Sequence, residues 1–215
     1  MTTEGQEINT LYNVFMVAAA VVFGIVSFLI VWSIIRYRRR GDELPKQIHG
    51  NNKLELAWTI LPLLLVFFLF AATINAQTKV EHQAARPRET VQVTAFQWSW
   101  RFHYQQAGID VVGGPNRVPE MVVPVNQPIH IRLVSADVVH AFWVPRTRYK
   151  RQAIPGYTNE FDMTFVKTGD YLGQCTQFCG LAHDQMLFRV RVVPDQEYQQ
   201  WATSTRTATA SASGS

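Results

Sequence analysis

The chain has 215 residues, of which 47% are hydrophobic and only 17% are charged, and its formal net charge at pH 7 is +4. A charged fraction this low argues against a wholly water-soluble protein. The small basic excess does not indicate a nucleic-acid partner, because the part of the chain from Lys79 onward holds fourteen basic and eleven acidic residues. No nucleic acid is therefore expected among its partners.

Two long stretches without a charged residue account for the apolar composition. They run from Leu11 to Ile35 and from Leu56 to Ile74, which are 25 and 19 residues. Each is long enough to cross about 30 Å of hydrocarbon as a helix. The sequence therefore predicts a transmembrane hairpin domain over residues 1–78, with helices at about 11–37 and 53–76, surrounded by membrane lipids.

The charges that flank the first helix distinguish it from a cleaved signal peptide. Glu4 and Glu7 precede it, where a signal peptide has basic residues, and a strongly basic stretch follows it. We therefore interpret it as a retained helix.

The loop between the two helices sets their orientation. The segment Arg36 to Lys53 contains six basic and two acidic residues, and the positive-inside rule places such a loop in the cytoplasm. Both termini and everything after Asn75 are then expected on the outer side of a bacterial-type plasma membrane. Glu55, at the start of the second helix, has two interpretations. It is either a favourable charge at a helix N-terminus, which the sequence favours, or a point where protons enter the membrane.

The outer part begins with a polar linker at residues 79–88. Beyond it, short β-forming stretches are separated by Pro, Gly, Asn and Asp turn signals, which predicts an all-β sandwich or barrel over residues 89–200. Thr90–Tyr104 alternates at period two and is predicted to be one strand whose shared face carries Phe96, Trp98, Trp100, Phe102 and Tyr104. Further strands are predicted at Glu120–Pro124, Pro128–Ser135, His140–Val144, Glu160–Val166, Gly169–Gly173 and Met186–Val193. The small, polar tail of residues 201–215 is predicted to be disordered.

The segment Gly173–Met186 carries the strongest chemical signal. It holds the only two cysteines of the chain, Cys175 and Cys179, followed by His183 and Met186. Thiolate, imidazole and thioether together are the soft ligand set that copper prefers. A blue-copper site uses a single cysteine, so the second thiolate favours a second metal ion. If both sulfurs bridge two ions, each ion needs an imidazole, and a second histidine must come from elsewhere.

Two alternatives compete with copper. A disulfide is the usual state of two lone cysteines in an oxidising compartment, and a structural zinc site also uses cysteine and histidine, although it rarely uses methionine. Periodicity alone does not choose the second imidazole among His82, His103, His130 and His140. The place of His140, at the start of a predicted strand after a turn, suits it best.

These segments together resemble subunit II of cytochrome c oxidase, the haem-copper terminal oxidase of aerobic respiration. The resemblance covers nearly all of the chain except the tail. It rests on H-G-N-N-K-L-E-L-A-W-T-I-L-P, F-Q-W-S-W-R-F-H-Y, S-A-D-V-V-H-A-F-W-V-P, A-I-P-G and C-T-Q-F-C-G-L-A-H-D-Q-M. It implies a cupredoxin-like outer domain that docks on subunit I, with subunit III as a further partner and cytochrome c or a similar small redox protein as the electron donor.

The resemblance also implies the roles of particular residues. The expected cofactor is a binuclear copper centre, called CuA, which accepts electrons and passes them to haem in subunit I, where oxygen is reduced to water and protons are pumped. Trp98 would be the indole that faces the donor, and Glu55 would lie at the mouth of a proton-uptake path into subunit I. The copper ligands would be His140, Cys175, Cys179, His183, Met186 and the backbone carbonyl of Gln177.

Two departures from the family pattern change these expectations. Gln177 replaces the usual Glu and Gln152 the usual Asp, and an amide is a poorer partner than a carboxylate for the magnesium ion that the family holds at the interface with subunit I. A weakened or absent magnesium site is therefore expected. The net positive outer domain also differs from the acidic docking face that receives a very basic cytochrome c. A less basic donor that docks on a more apolar patch around Trp98 is expected.

Three other functions fit parts of this pattern. A quinol oxidase subunit shares the fold and the helices but lacks the copper ligands. Nitrous oxide reductase also carries a CuA domain, but it is a longer soluble protein with an additional catalytic domain. A membrane-anchored copper chaperone or blue-copper carrier is the non-enzyme alternative, and it would bind one copper ion.

Overall fold

A computed structural model of the chain describes residues 1–41, 50–114 and 117–213, and the side chains up to residue 207. It divides into two compact units, Asn9–Gln77 and a second unit formed by Met1–Ile8 together with Thr78–Ser215. Most of the predicted cytoplasmic loop, residues 42–49, lies outside the described residues.

Two helices account for the first part of the chain. Helix α1 spans Thr3–Arg36 and helix α2 spans Asn52–Val80, and both are long and apolar enough to cross a membrane. The two predicted helices are confirmed, and each extends beyond its charge-free stretch. The start of α2 is capped, because the amide of Leu54 donates to the Asn51 side chain at 3.2 Å while Glu55 accepts from the Asn51 amide at 3.3 Å.

In the described residues of the outer part, ten strands form two five-stranded sheets. One sheet has the order β3-β2-β1-β5-β8 and the other the order β4-β10-β9-β6-β7. Pairing is antiparallel except between β1 and β5 and between β4 and β10. The strands are β1 (Glu89–Phe96), β2 (Ser99–Tyr104), β3 (Ile109–Val112), β4 (Glu120–Pro124), β5 (Pro128–Ser135), β6 (His140–Val144), β7 (Tyr149–Ala153), β8 (Asn159–Thr164), β9 (Gly169–Cys175) and β10 (Leu187–Val193).

The core lies between the two sheets and is built from the alternate residues that each strand turns inward. The rings of Phe142 on β6 and Phe188 on β10 stack with centroids 4.5 Å apart, and Trp100 on β2 meets Phe188 edge-on at 5.1 Å. Gly173 lets this cluster close, since a Cβ atom there would lie 2.1 Å from the Phe188 ring. A rigid aromatic core thus supports the ends of β6, β9 and β10.

The prediction of one long strand over Thr90–Tyr104 was wrong. The chain turns back at Gln97 and Trp98, so that β1 and β2 form an antiparallel hairpin in which Phe96 pairs with Ser99. The reversal changes the faces of the segment. Trp100, Phe102 and Tyr104 are fully buried, whereas Trp98 is 37% exposed in the turn. The aromatic residues of β2 therefore belong to the core, whereas Trp98 in the turn lies at the surface.

The C-terminal segment also differs from the prediction of disorder. Helix α3 spans Asp195–Ser213. Its first turns are held on the sandwich because Tyr198 and Ala202 are buried and Trp201 meets Tyr104 edge-on at 5.1 Å. Arg206 then donates to the Ala107 carbonyl at 2.8 Å. Two aromatic residues at helical spacing anchor a segment whose composition alone is polar.

The first eight residues belong to the β-domain rather than to the helical unit. Thr2 forms an antiparallel bridge with Phe165, and Glu4 accepts a hydrogen bond from the Thr164 amide at 3.2 Å. Gly5 packs against the backbone of Thr147 so closely that a Cβ atom would lie 1.9 Å from its carbonyl oxygen. The helical unit ends at Gln77, next to the predicted boundary at residue 78. The first eight residues were predicted to belong to the hairpin domain, but they group with the β-domain.

Candidate metal centre

The loop that carries the candidate ligands joins two neighbouring strands. Cys175 is the last residue of β9, a short 3-10 helix covers His183–Gln185, and β10 begins at Leu187. The base of the loop is closed because the Cys175 amide donates to the Met186 carbonyl at 3.0 Å. The prediction that Cys175–Met186 connects the last two strands is confirmed, and the sheet fixes both ends of the loop.

The side chains of the loop converge on the two sulfur atoms. Both cysteines are free thiols, and their Sγ atoms lie 3.9 Å apart. The Cys179 Sγ atom is 3.4 Å from Nδ1 of His183 and 3.8 Å from Sδ of Met186. The backbone oxygen of Gln177 lies 3.3 Å from the Cys175 Sγ atom. Each sulfur therefore has its own additional donor groups from the loop.

His140 supplies the second imidazole. It begins β6, which pairs with β9 so that Phe142 lies opposite Cys175. Its ring is fully buried, and Nδ1 lies 3.8 Å from the Cys175 Sγ atom. His130 instead contacts Asp162 at 2.8 Å, on the other sheet. The pairing of β6 with β9 therefore brings His140 beside Cys175, while the loop itself brings His183 beside Cys179.

Asp137 orients the His140 ring and was missed in the sequence. Its carboxylate lies 2.7 Å from Nε2 of His140, which assigns the proton to that nitrogen and leaves Nδ1 free to face the sulfur. The same carboxylate accepts hydrogen bonds from the amides of Val138 at 2.6 Å and Gln97 at 2.7 Å. Its position three residues before a candidate ligand histidine was the available signal.

The Gln97–Trp98 turn rests directly on the metal loop. The indole Nε1 of Trp98 donates to the Cys179 carbonyl at 3.2 Å, and the amide Nε2 of Gln97 donates to the same oxygen at 2.7 Å. Gly180 makes room for this contact, since a Cβ atom there would lie 3.1 Å from Gln97 Nε2. Trp98 is therefore both partly exposed and one hydrogen bond away from the backbone of a candidate ligand.

The electrostatics of the two cysteines favour a bound cation. Burial opposes ionisation of Cys175, but hydrogen bonds from His140 and from backbone groups outweigh it and lower its pKa to about 6. Burial, together with repulsion from the neighbouring Cys175 thiolate, raises the pKa of Cys179. A second thiolate forms readily only when positive charge sits between the two sulfurs, and a metal ion supplies that charge.

The ligand set fits copper better than zinc. The cluster offers two cysteine sulfurs, two imidazoles, a thioether and one carbonyl oxygen, which is more donors than a tetrahedral zinc site takes and includes the thioether that zinc rarely uses. His140, Met186 and both cysteines are buried, whereas His183 and Gln177 are half-buried. The residues present therefore fit the soft metal indicated by their chemistry.

The remaining predicted site residues lie elsewhere. Glu55 lies in the first turn of α2, in the helical unit. Gln152 lies on β7, where it pairs with Ala141 and its backbone oxygen accepts a hydrogen bond from Asn159 at 3.2 Å. Gln152 is thus on the strand next to the one that begins with His140.

Comparisons with known proteins identify the family of both parts of the chain. Residues 2–75 match the family described as cytochrome c oxidase subunit II, transmembrane domain, and residues 114–193 match its periplasmic domain. The probable cytochrome c oxidase subunit 2 of Streptomyces avermitilis is 32% identical, over 93% of this chain and 75% of the relative.

Solved structures show the same outer domain. The periplasmic domain of subunit II of cytochrome oxidase from Bradyrhizobium japonicum is 34% identical, with a TM-score of 0.53 over 59% of this chain and 99% of that chain. A mixed disulfide between a thioredoxin-like protein and subunit II of cytochrome c oxidase matches at 34% identity and a TM-score of 0.51, over 60% of this chain and 98% of that chain. The sandwich is thus the cupredoxin-like domain of a membrane protein, located on the outer side. The chain belongs to the cytochrome c oxidase subunit II family, which is part of the haem-copper terminal oxidases.

Proposed function

We propose that this subunit accepts electrons one at a time from a small redox protein at a binuclear copper centre and delivers them to haem in subunit I. The observation that carries the proposal is the pairing of each sulfur with its own imidazole. His140 lies beside Cys175 at 3.8 Å and His183 beside Cys179 at 3.4 Å. A mononuclear blue-copper site needs only one cysteine, whereas the two cysteines with His140 and His183 would provide enough sulfur and nitrogen ligands to hold two copper ions, each with its own imidazole.

The chain contributes a rigid cage rather than bond chemistry. A bound copper pair supplies a one-electron carrier. The two strand ends, the closed loop base and the Asp137–His140 hydrogen bond at 2.7 Å hold the donor atoms in place. Since the ligands have little freedom to rearrange, little reorganisation accompanies a change of oxidation state, which favours fast transfer.

The copper content of the purified complex tests this assignment. We expect two copper ions per chain and a mixed-valence electron spin resonance signal shared by two nuclei. One ion per chain would refute the binuclear proposal and would support a blue-copper carrier or chaperone instead. His140→Ala is expected to remove the mixed-valence signal, and His130→Ala, on the other sheet, serves as the matched control.

Trp98 is the proposed point at which electrons enter the chain. It is 37% exposed, and two large apolar side chains on the metal loop, Phe178 and Leu181, are 78% and 91% exposed. We therefore expect the electron donor, cytochrome c or a similar small redox protein, to bind this surface mainly through burial of apolar area and less through attraction between opposite charges. Turnover is therefore expected to depend weakly on ionic strength. A steep fall in turnover with added salt would refute apolar docking.

The interface magnesium ion is proposed to be weak or absent. Gln152 and Gln177 present amides where the family presents carboxylates, and magnesium binds amide oxygens less strongly. Metal analysis of the purified complex tests this expectation. Stoichiometric magnesium that survives dialysis against a chelator would contradict it.

The two helices are proposed to cross the membrane and to dock on subunit I, with subunit III as a further partner. Glu55 is proposed to lie at the mouth of a proton-uptake path, as the family resemblance implies. Its contacts with the Asn51 amide also fit a capping role. Glu55→Gln keeps the acceptor oxygen but cannot ionise, so slower proton uptake with unchanged helix stability would support the proton role, and unchanged uptake would leave only the capping role.

A further inference from the structure

The β1–β2 turn is attached to the metal loop through both of its residues. The Gln97 side chain and the Trp98 indole donate to the same oxygen, the Cys179 carbonyl, at 2.7 and 3.2 Å. The Gln97 amide also donates to Asp137 at 2.7 Å, and Asp137 in turn holds His140. The turn is thus bonded to the backbone beside one cysteine and, through one carboxylate, to a candidate ligand imidazole.

We propose that Gln97 is a positioning residue for electron transfer, which holds the Trp98 indole against the Cys179 carbonyl. The inference rests on the proposed role of Trp98. The Gln97 side chain bonds to the backbone oxygen of Cys179 and not to a sulfur or imidazole atom of the candidate metal centre. It acts through Trp98, whose orientation and distance to the loop it fixes.

Two hydrogen bonds converge on the backbone oxygen of Cys179. A carbonyl oxygen has two lone pairs, and Gln97 and Trp98 occupy both at the Cys179 oxygen. Both residues are exposed, so water competes for each donor, and the glutamine bond is the shorter of the two. The indole bond alone is therefore a weak tether. The adjoining glutamine adds a second tether to the same atom and restricts where the Trp98 backbone lies.

The hydrogen bonds of Gln97 leave Trp98 little conformational freedom. The Gln97 amide and the Gln97 side chain fix the residue before Trp98 at two points. An indole on a fixed backbone has only two rotatable side-chain bonds, so little entropy remains to be lost. The backbone of Gly180 closes the space beneath the pair, because a Cβ atom there would lie 3.1 Å from Gln97 Nε2 and 3.2 Å from the Trp98 ring.

The alternative is that Gln97 only stabilises the loop. In that case its loss would release copper or lower the stability of the domain, without a specific effect on Trp98. The two roles therefore differ in observables other than turnover. A positioning role changes the rate of electron transfer into the copper centre and the mobility of the Trp98 ring, while the copper signal and donor binding stay as they are.

The experiment compares variants of the full complex. Gln97→Met removes the amide donor with little change in length, Gln97→Glu removes it while keeping the shape, and Trp98→Phe removes the indole. Gln105→Met, in the exposed turn after β2, is the matched control. A reduced bacterial cytochrome c of near-neutral net charge is the probe. We measure the rate of copper reduction by stopped flow, the KM for the cytochrome and the mixed-valence spin signal. Acrylamide quenching of Trp98 in copper-free protein is obtained as the difference from Trp98→Phe.

We expect the Gln97 variants to slow copper reduction about two- to tenfold, which corresponds to the loss of one net hydrogen bond. We also expect greater acrylamide quenching of Trp98, an unchanged spin signal and a KM within about twofold of the parent, with Gln105→Met equal to the parent. Unchanged reduction in the Gln97 variants, with slow reduction in Trp98→Phe, would overturn the role of Gln97 and leave that of Trp98 intact. Parental reduction by Trp98→Phe with copper retained would instead refute the proposed role of Trp98. Loss of copper in both Gln97 variants would assign Gln97 to loop folding and overturn the positioning role.

Discussion

Replacing Asp137 with asparagine should weaken copper binding without unfolding the domain. The carboxylate holds Nε2 of His140 at 2.7 Å and accepts two backbone amides, those of Val138 and Gln97. An asparagine has one acceptor oxygen where the carboxylate has two, so its amide group meets as a donor either the Gln97 N–H or the N–H groups of His140 and Val138. Any hydrogen bond that remains to His140 is uncharged and therefore weaker, so the ring loses the charged partner that keeps Nδ1 directed at Cys175.

The expected loss of copper affinity is taken from other metal sites in which the residue that orients a ligand histidine was replaced. Loss of the group that orients a ligand histidine lowers metal affinity roughly 10- to 100-fold, which corresponds to about 1.4–2.8 kcal/mol. The side chain of Asp137 is 29% exposed, so water compensates part of the loss and the lower end of that range is expected.

The assay is a competition between the purified protein and a copper chelator, followed by the mixed-valence absorption band. Asp170→Asn is the matched control, because Asp170 lies exposed near the start of β9, at the opposite end of that strand from Cys175. We expect Asp137→Asn to release copper at about tenfold lower chelator concentration and Asp170→Asn to match the parent. An Asp137→Asn protein that retains the parental copper affinity would refute the orienting role.

Three further predictions follow from other parts of the outer domain. Gly173→Ala should destabilise it by about 1–3 kcal/mol or more, because the new methyl group meets the buried Phe188 ring at 2.1 Å, and a thermal melt followed by the copper band measures this loss. Gln177→Ala should keep the copper spectrum, since only the backbone oxygen of Gln177 lies near the Cys175 sulfur. Loss of copper in this variant would contradict the backbone role. Gln177→Glu should retain more magnesium than the parent in metal analysis. Burial, together with the Glu89 carboxylate, raises the pKa of Tyr198, so its neutral phenol contributes stability that is present below about pH 10 and declines as the pH rises further. At about pH 8, Tyr198→Phe should be less stable than the parent by about 1 kcal/mol, because it lacks the hydrogen bond to Glu89. When the pH is raised to about 11, the variant should lose less stability than the parent loses. Equal losses of stability in the two proteins would contradict this expectation.

Local sequence patterns predicted those parts of the fold in which one signal dominates. The charge-free stretches became helices, and the predicted bounds of β4, β5 and β6 agree with the structure because turn residues flank apolar alternation there. Strand β7 was missed, since Tyr149–Ala153 is mostly polar and basic and only its end residues are buried. The reversal at Gln97–Trp98 was missed because neither residue is a usual turn signal.

The residues of the candidate site also differ in whether a local sequence pattern could predict them. The loop residues Cys175, Cys179, His183 and Met186 are close in sequence, so their spacing indicated a metal site directly. Periodicity alone left the second imidazole open, and the family resemblance implied His140. Its position beside Cys175 depends on the pairing of β6 with β9, which no local pattern contains. Gln97 was missed as a partner of the site because it contacts Cys179 from a turn that lies 82 residues earlier in the chain. Asp137 lies only three residues before His140, so its contact with the ring is local, and that short spacing was the available signal.

The contacts of the first eight residues have a consequence for protein engineering. Thr2 pairs with Phe165, and Glu4 accepts the Thr164 amide, so the β-domain is discontinuous in sequence and the helical unit is an insertion within it. A soluble fragment cut after α2 would leave the Thr164 amide without this acceptor and would uncover the surface beneath Gly5. A shortcut that joins residue 8 to residue 78 by a flexible linker, or a peptide of residues 1–8 added in trans, would restore the missing edge.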